Sequence, residues 1–293
     1  MTVSKLRSRV PEGGKDLIRS ATLAAGMATA GARMEPGFLV VGAQRSGTTT
    51  LYRMLVEHPC VVRPSFAKGI GYFDLNYGRG ERWYRGHFPM RAAAARRTGK
   101  SGSPMTFESS GYYLYHPLAA QRIGAQLPEV KVVVLVRDPV ERAFSAHAHE
   151  LARGFESEPF ERAIELEPAR IEGEEARLIA DPEYVSYNHR HFSYLARGRY
   201  AEQIQRYYDA LGRERVMIID AQDLFARPEA AYADLLEFLG LPEFEATQTG
   251  VHNARPRQEM PDELRRRLMA SFEDQDAELA VQMGRTPSWR IQP

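Results

Sequence analysis

The stretch Phe38–Leu55, FLVVGAQRSGTTTLYRML, constrains this chain more than any other. Four apolar, strand-favouring residues, Phe38, Leu39, Val40 and Val41, run into Gly42. Gly47 follows, then a run of threonines, then the amphipathic set Leu51, Tyr52, Met54 and Leu55. That order is buried strand, glycine-bounded loop, helix. Such a loop turns backbone N–H groups and a helix N-terminus toward one point, where an anion is favoured. Ser46, Thr48 and Thr49 add hydroxyl donors, and Arg45 adds a forked cation. A plain strand–turn–helix without a ligand would not need glycine spacing, hydroxyl cluster and flanking periodicities to agree.

Gly42 and Gly47 have the spacing of the phosphate loop G-x-x-x-x-G-K-[ST], and Thr49 fills its Ser/Thr slot. Thr48, however, stands where the lysine belongs. That lysine normally reaches the β- and γ-phosphates. Its loss argues against a triphosphate and for a different anionic group. A divergent P-loop nucleotide kinase would need a lysine near Thr48 and a carboxylate for Mg²⁺, and the sequence suggests neither. No metal site is expected.

Bulk properties narrow the partners. With 293 residues the chain can bury a large core. A net charge of +1 implies no general attraction to nucleic acid. Cys60 is the single cysteine, which fits a reducing, cytoplasmic setting. The small-apolar run Ala21–Ala32 falls well short of the roughly 20 residues that span a bilayer. Residues 1–35 therefore read as a frayed and helical extension with at most weak peripheral membrane contact, and 36–293 as one domain.

Further strands are expected at Met105–Glu108, Lys131–Val136 and Arg215–Asp220. The run KVVVLV has the continuous apolar character of a parallel strand covered on both faces. It ends in Arg137-Asp138-Pro139, where Asp138 suits an N-cap and Pro139 the first helical position. Arg137 then sits beside a helix N-terminus as a second anion site, with Ser145 about two turns further on. Glu108 ends its strand, and strand ends line the ligand crevice in open α/β sheets. Glu108 is either a site residue there or a buried partner of an arginine. Helices are expected over Tyr112–Leu127, Val140–Leu151, Leu195–Leu211, Pro228–Leu239 and about Asp262–Met283. The aromatic stretch Phe66–Arg91 reads as a lid anchored by Trp83 and Tyr84, or as an excursion packed by its own rings. Arg91–Gly102 reads as an exposed loop and Gly154–Pro182 as a solvated connection. The fold class is α/β: a P-loop-like three-layer fold with a central, mostly parallel sheet flanked by helices.

Four segments taken together resemble a known family. GAQRSGTTTL, the later RDPVERAFSAHAH, the aromatic IGYFDLNYGRGERWYRGHFP between them and HNARPRQEM before the last helix resemble the sulfotransferases that use 3′-phosphoadenosine 5′-phosphosulfate (PAPS). The resemblance is closest to the branch with the heparan sulfate N- and O-sulfotransferase domains and their bacterial relatives. It implies PAPS as cofactor, leaving 3′-phosphoadenosine 5′-phosphate (PAP). It implies transfer to a hydroxyl, or secondarily an amine, of a carbohydrate or small molecule. Arg45, Ser46, Gly47, Thr48 and Thr49 would meet the 5′-phosphosulfate, Arg137 and Ser145 would grip the 3′-phosphate, and Arg255 would close on the cofactor from the late loop.

One position departs from that branch. A glutamate serving as base usually follows the lysine, in a pattern like K-E-x-x-[FY]-F; here the run is Lys68-Gly69-Ile70-Gly71-Tyr72-Phe73. A glycine cannot accept a proton. The catalytic set expected is then Arg45, Lys68 and Glu108, with Glu108 as base and His87 as second choice. A PAPS- or PAP-binding homologue with impaired catalysis is the alternative. Ser109 also replaces the lysine that follows the third-strand glutamate in heparan-type enzymes, which counts against a heparan-like acceptor.

Overall fold

The structure is a computed structural model that describes residues 12–65, 67–247 and 259–291, with side chains from residue 20 onward. Arg255 lies outside the described residues. Four parallel strands form the sheet: β1 (Phe38–Gly42), β2 (Phe107–Ser109), β3 (Lys131–Val136) and β4 (Val216–Asp220), in the order β2-β1-β3-β4.

In chain order the helices are α1 (Glu12–Ala28), α2 (Thr48–Glu57), the short α3 (Tyr72–Leu75) and α4 (Glu81–Arg85), α5 (Arg91–Thr98) and α6 (Ala119–Gln126). Then come α7 (Pro139–Ala152), α8 (Phe160–Ile171), α9 (Glu174–Ala180), α10 (Tyr187–His191), α11 (Tyr200–Leu211), α12 (Ala221–Ala226), α13 (Pro228–Leu239), α14 (Asp262–Ala270) and α15 (Glu273–Met283). Among the described residues no helix is long and apolar enough to cross a membrane.

Strand alternation sorts the core into two layers. Leu39, Val41, Val132, Val134 and Val136 face one side and pack with Ile123 of α6, Ile204 and Tyr207 of α11 and the aromatic segment. Phe38, Val40, Phe107, Val133 and Leu135 face the other and pack with Leu51 and Leu55 of α2 and Leu235 and Leu239 of α13. Both faces are covered, and β3 is apolar from Val132 to Val136, as the sequence implied for that run. A third cluster joins Val140 and Ala143 of α7 to Phe160 of α8 and Leu264, Leu268 and Phe272 of the C-terminal hairpin.

Several expectations change. The Tyr112–Leu127 helix is confined to α6; Tyr112–Pro117 forms turns, because a residue preceding proline avoids helical geometry. The expected loop Arg91–Gly102 contains α5. Its alanines favour helix, and Ala94 is buried. The connection Gly154–Pro182 holds α8 and α9, whose Phe160, Ala163, Ile164 and Leu178 are buried. The last helix is two, α14 and α15, separated where Phe272 turns into the third cluster. The aromatic segment is core: Tyr72, Phe73, Tyr84 and Phe88 are fully buried, with Tyr72 and Tyr84 stacked at 4.5 Å between ring centroids. Arg122 ties the segment down by donating to Phe73 O at 2.9 Å while lying over the Tyr77 ring.

Candidate functional site

The loop after β1 closes as the glycines require. Gly47 has φ 86°, and a Cβ there would meet Phe225 of α12 at 2.9 Å. Arg45, at φ 72°, is the one non-glycine left-handed residue among those described, a conformation that concentrates at functional loops. Helix α2 begins directly at Thr48, so its first N–H groups are at the loop.

On the neighbouring strand, the sequence reading of α7 is met in detail. Asp138 caps it, its Oδ1 accepting from Val140 N at 2.9 Å and Glu141 N at 3.1 Å, with Pro139 in the first turn. Arg137 and Ser145 both line the cleft above.

The sequence suggested two separate cation clusters, but the structure brings them together. Arg45 Nε donates to Ser145 Oγ at 3.1 Å, and Arg137 Nη1 donates to Arg45 O at 3.2 Å. Strands β1 and β3 are adjacent, so the loop tip rests against α7. Arg45 therefore stands at the junction rather than wholly on the first loop.

A cation on the loop side comes from elsewhere. Lys68 Nζ donates to Thr48 Oγ1 at 2.9 Å and approaches Thr49 Oγ1 at 3.4 Å. An ammonium thus reaches the loop hydroxyls although Thr48 holds the usual lysine slot. Burial lowers the Lys68 pKa to about 8. At neutral pH the amine still carries its proton.

Three backbone contacts place Lys68. Ser109 N donates to Lys68 O at 2.8 Å, Ile70 N to Glu108 Oε2 at 2.9 Å and Gly71 N to Ser110 Oγ at 3.1 Å. The segment is zipped along the end of β2. Gly69 is where they approach most closely: a Cβ there would lie 2.6 Å from Ser109 O and 2.8 Å from Ser110 Oγ. A glutamate does not fit this backbone, so Gly69 belongs to the packing that delivers Lys68.

Glu108 is not brought into the cleft. It is fully buried, and its Oε1 accepts from Tyr113 OH at 2.6 Å and Tyr84 OH at 3.3 Å. Burial raises its pKa to about 7, partly opposed by these donors. Its partners are tyrosines and a backbone N–H rather than an arginine, and they make it an internal strut. His87 is also buried, its Nδ1 paired with Trp83 O at 2.8 Å. The aromatic rings Tyr72, Trp83 and Tyr84 are likewise absent from the cleft wall.

The cleft has a volume of about 860 Å³, within the range of small-molecule sites. Its wall includes residues that sequence reasoning passed over: Gln44, His149, Gln222, Arg265 and Trp289. Gln44 had a legible position inside the loop, but its anchor, Arg197, lies far along the chain. The Arg197 guanidinium hydrogen-bonds Gln44 Oε1 and also donates to Arg190 O at 2.6 Å. Because arginine only donates, Gln44 presents its oxygen to Arg197 and keeps its amide N–H₂ as a donor. Ser288 and Trp289 reach the wall through Asp220, which ends β4: Ser288 N donates to Asp220 Oδ2 at 2.9 Å.

A parallel sheet with a glycine-bounded loop after its first strand, and a capped helix bearing arginine and serine after its third, defines a P-loop-like α/β domain. The Sulfotransferase domain family profile matches residues 35–275, and the chain belongs to that family. It is 26% identical over 263 residues to the bifunctional heparan sulfate N-deacetylase/N-sulfotransferase 1 of Caenorhabditis elegans, covering 81% of this chain and 28% of that protein. It is 25% identical over 321 residues to the membrane-associated sulfotransferase kil1 of Dictyostelium discoideum, covering 87% of this chain and 66% of that protein. The chain thus spans from about a quarter to two thirds of the length of these relatives. The crystal structure of a sulfotransferase from Alicyclobacillus acidocaldarius superposes with a TM-score of 0.65 at 28% identity, covering 88% of this chain and all of that one.

Proposed function

We propose that this domain transfers a sulfuryl group from PAPS to a hydroxyl or amine of a carbohydrate or small-molecule acceptor. The observation that carries the proposal is the meeting of Arg45, Arg137 and Ser145 beside the Thr48–Thr49 hydroxyls and the Lys68 ammonium. These donors fit a ligand with two anionic ends, and the cleft is large enough for a nucleotide. Bound there, PAPS supplies an activated sulfuryl group.

The chain's own residues have separable parts. Thr48, Thr49 and the start of α2 donate to the 5′ end. Lys68 adds positive charge at those hydroxyls, where negative charge builds as the phosphate leaves. Arg137 and Ser145 hold the 3′-phosphate, and Arg45 bridges the two groups. Phe225 and Trp289 offer aromatic wall to the base.

The acceptor's proton is assigned to His149. It is on α7 one turn beyond Ser145 and lines the cleft, whereas Glu108 and His87 do not. The carboxylates on the wall have other work: Asp138 and Glu141 pair with Arg265, Glu150 with His191, and Asp220 with Ser288.

The test is PAP release from PAPS across two acceptor sets, desulfated heparan-type oligosaccharides and simple phenols. Lys68→Met is expected to lower kcat by about 10²–10³-fold. His149→Gln is expected to lower it by about 10²–10⁴-fold with PAP affinity retained. Full turnover in His149→Gln would remove the base assignment. Full turnover in Lys68→Met would remove the charge-stabilising role.

A further inference from the structure

Four charged groups meet on the cleft wall beside Ser145: Arg137, Asp138, Glu141 and Arg265. Arg265, on α14, donates through Nη1 to Glu141 Oε1 and through Nη2 to Asp138 Oδ2, each at 2.6 Å. Glu141 Oε2 lies 3.6 Å from Arg137 Nη2. One glutamate therefore stands between two arginines, on the first turn of a helix whose N-terminus also favours an anion.

We propose that Arg265 is a second arginine of the 3′-phosphate subsite, and that Glu141 is the internal anion the phosphate displaces. This rests on reading the cleft as a PAPS site. The two carboxylates are not equivalent. Asp138 spends Oδ1 on the cap of α7 and is fixed by it. Glu141 makes no such cap, and its carboxylate pairs with Arg265 and lies near Arg137. It is the member that can turn away.

The scaffold keeps both cations within reach. Leu264 and Leu268 seat α14 on Val140 and Ala143 of α7, so Arg265 is delivered by a packed helix. The Arg265 side chain is itself 37% exposed. Ion pairs exposed to that degree are weak, so trading Glu141 for a doubly charged phosphate costs little. Arginine can then grip two phosphate oxygens at once. The consequence is specificity: Arg265 reports the 3′-phosphate and has no task toward a nucleotide that lacks it.

The experiment is calorimetric titration with PAP and with adenosine 5′-monophosphate, on wild type, Arg265→Ala and Glu141→Gln. Wild type is expected to favour PAP. Arg265→Ala is expected to lose about tenfold or more in PAP affinity with AMP affinity unchanged. Glu141→Gln is expected to bind PAP severalfold more tightly, again without change for AMP. A PAP-to-AMP ratio that stays at the wild-type value in both variants overturns the proposal. Should Arg265→Ala fail to fold, Glu141→Gln decides alone, and unchanged PAP affinity in it overturns the proposal. A wild type that does not separate PAP from AMP is a different failure: it removes the PAPS reading of the cleft, and this inference with it.

Discussion

Gly69 has a packing role in the fold that pattern alone does not reveal. Beside the K-E-x-x-[FY]-F pattern it looks like a lost base. In the fold its missing side chain lets the segment lie against Ser109 O, which sets Lys68 on the loop hydroxyls. Gly69→Glu is therefore expected to destabilise the protein by about 1–3 kcal/mol, the usual penalty of overpacking. It should lower transfer rather than raise it. Urea denaturation beside a turnover assay checks both; a gain in turnover with stability intact would show that Gly69 is a vacancy in the chemistry after all. The amine itself gives a pH signature. Burial holds its pKa at about 8, so kcat should fall as pH rises through that value and the ammonium discharges. A rate that stays flat to pH 9.5 would contradict the role given to Lys68.

At the scale of elements, the sequence was most legible where local chemistry decides. The strand–loop–helix at Phe38–Leu55 and the Asp138-Pro139 start of α7 carry their own signals in glycine spacing, hydrophobic run and cap. Asp138→Ala should cost about 1 kcal/mol for the cap, and more as the Arg265 contact is lost. Asp138→Asn, which keeps a capping oxygen, should recover most of the cap contribution. Equal stability of both variants in chemical denaturation would refute that division. Elements decided by distant partners were not legible. The aromatic segment reads as a lid because its rings are dense and its glycines many. It becomes core because α6 and β1 present an apolar face to it and Arg122 holds its backbone. The acidic connection reads as solvated because its buried apolar residues, Phe160, Ala163, Ile164 and Leu178, are few; the first three meet partners from α7 and from the C-terminal hairpin. The site followed this rule only in part. Arg45, Thr48, Thr49, Arg137 and Ser145, expected from the two local motifs, line the cleft, whereas Ser46 does not; Gln44 and His149 lie inside the same motifs but carried no signal of their own, and Arg265 and Trp289 needed tertiary geometry.

For the molecule as a whole, two buried carboxyls each contribute to the pH dependence of stability. Burial raises Glu108 to about 7 and Asp74 to about 6. Both bind protons more tightly when folded than when unfolded. Their protonation therefore contributes stability that is full below the ordinary carboxylate pKa and is lost as pH rises toward 7. The slope they add is at most about 1.4 kcal/mol per pH unit for each group. Burial holds His116 and His189 down at about 3, which adds a slope of the opposite sign over the same window, so the carboxyl contribution is read as a difference: between pH 5 and pH 7 Glu108→Gln should lose less stability, or gain more, than wild type. The same change in Glu108→Gln as in wild type would exclude Glu108 as a contributor.

The cleft is proposed to take a nucleotide with a 3′-phosphate and a 5′ anion, rather than a nucleoside triphosphate with its metal. Calorimetric titration with PAP, run beside ATP with Mg²⁺, tests it most directly. Micromolar or tighter binding of PAP with no measurable binding of ATP is the predicted result, about −8 kcal/mol or better at 25 °C. Binding of ATP with Mg²⁺ and none of PAP would contradict the account.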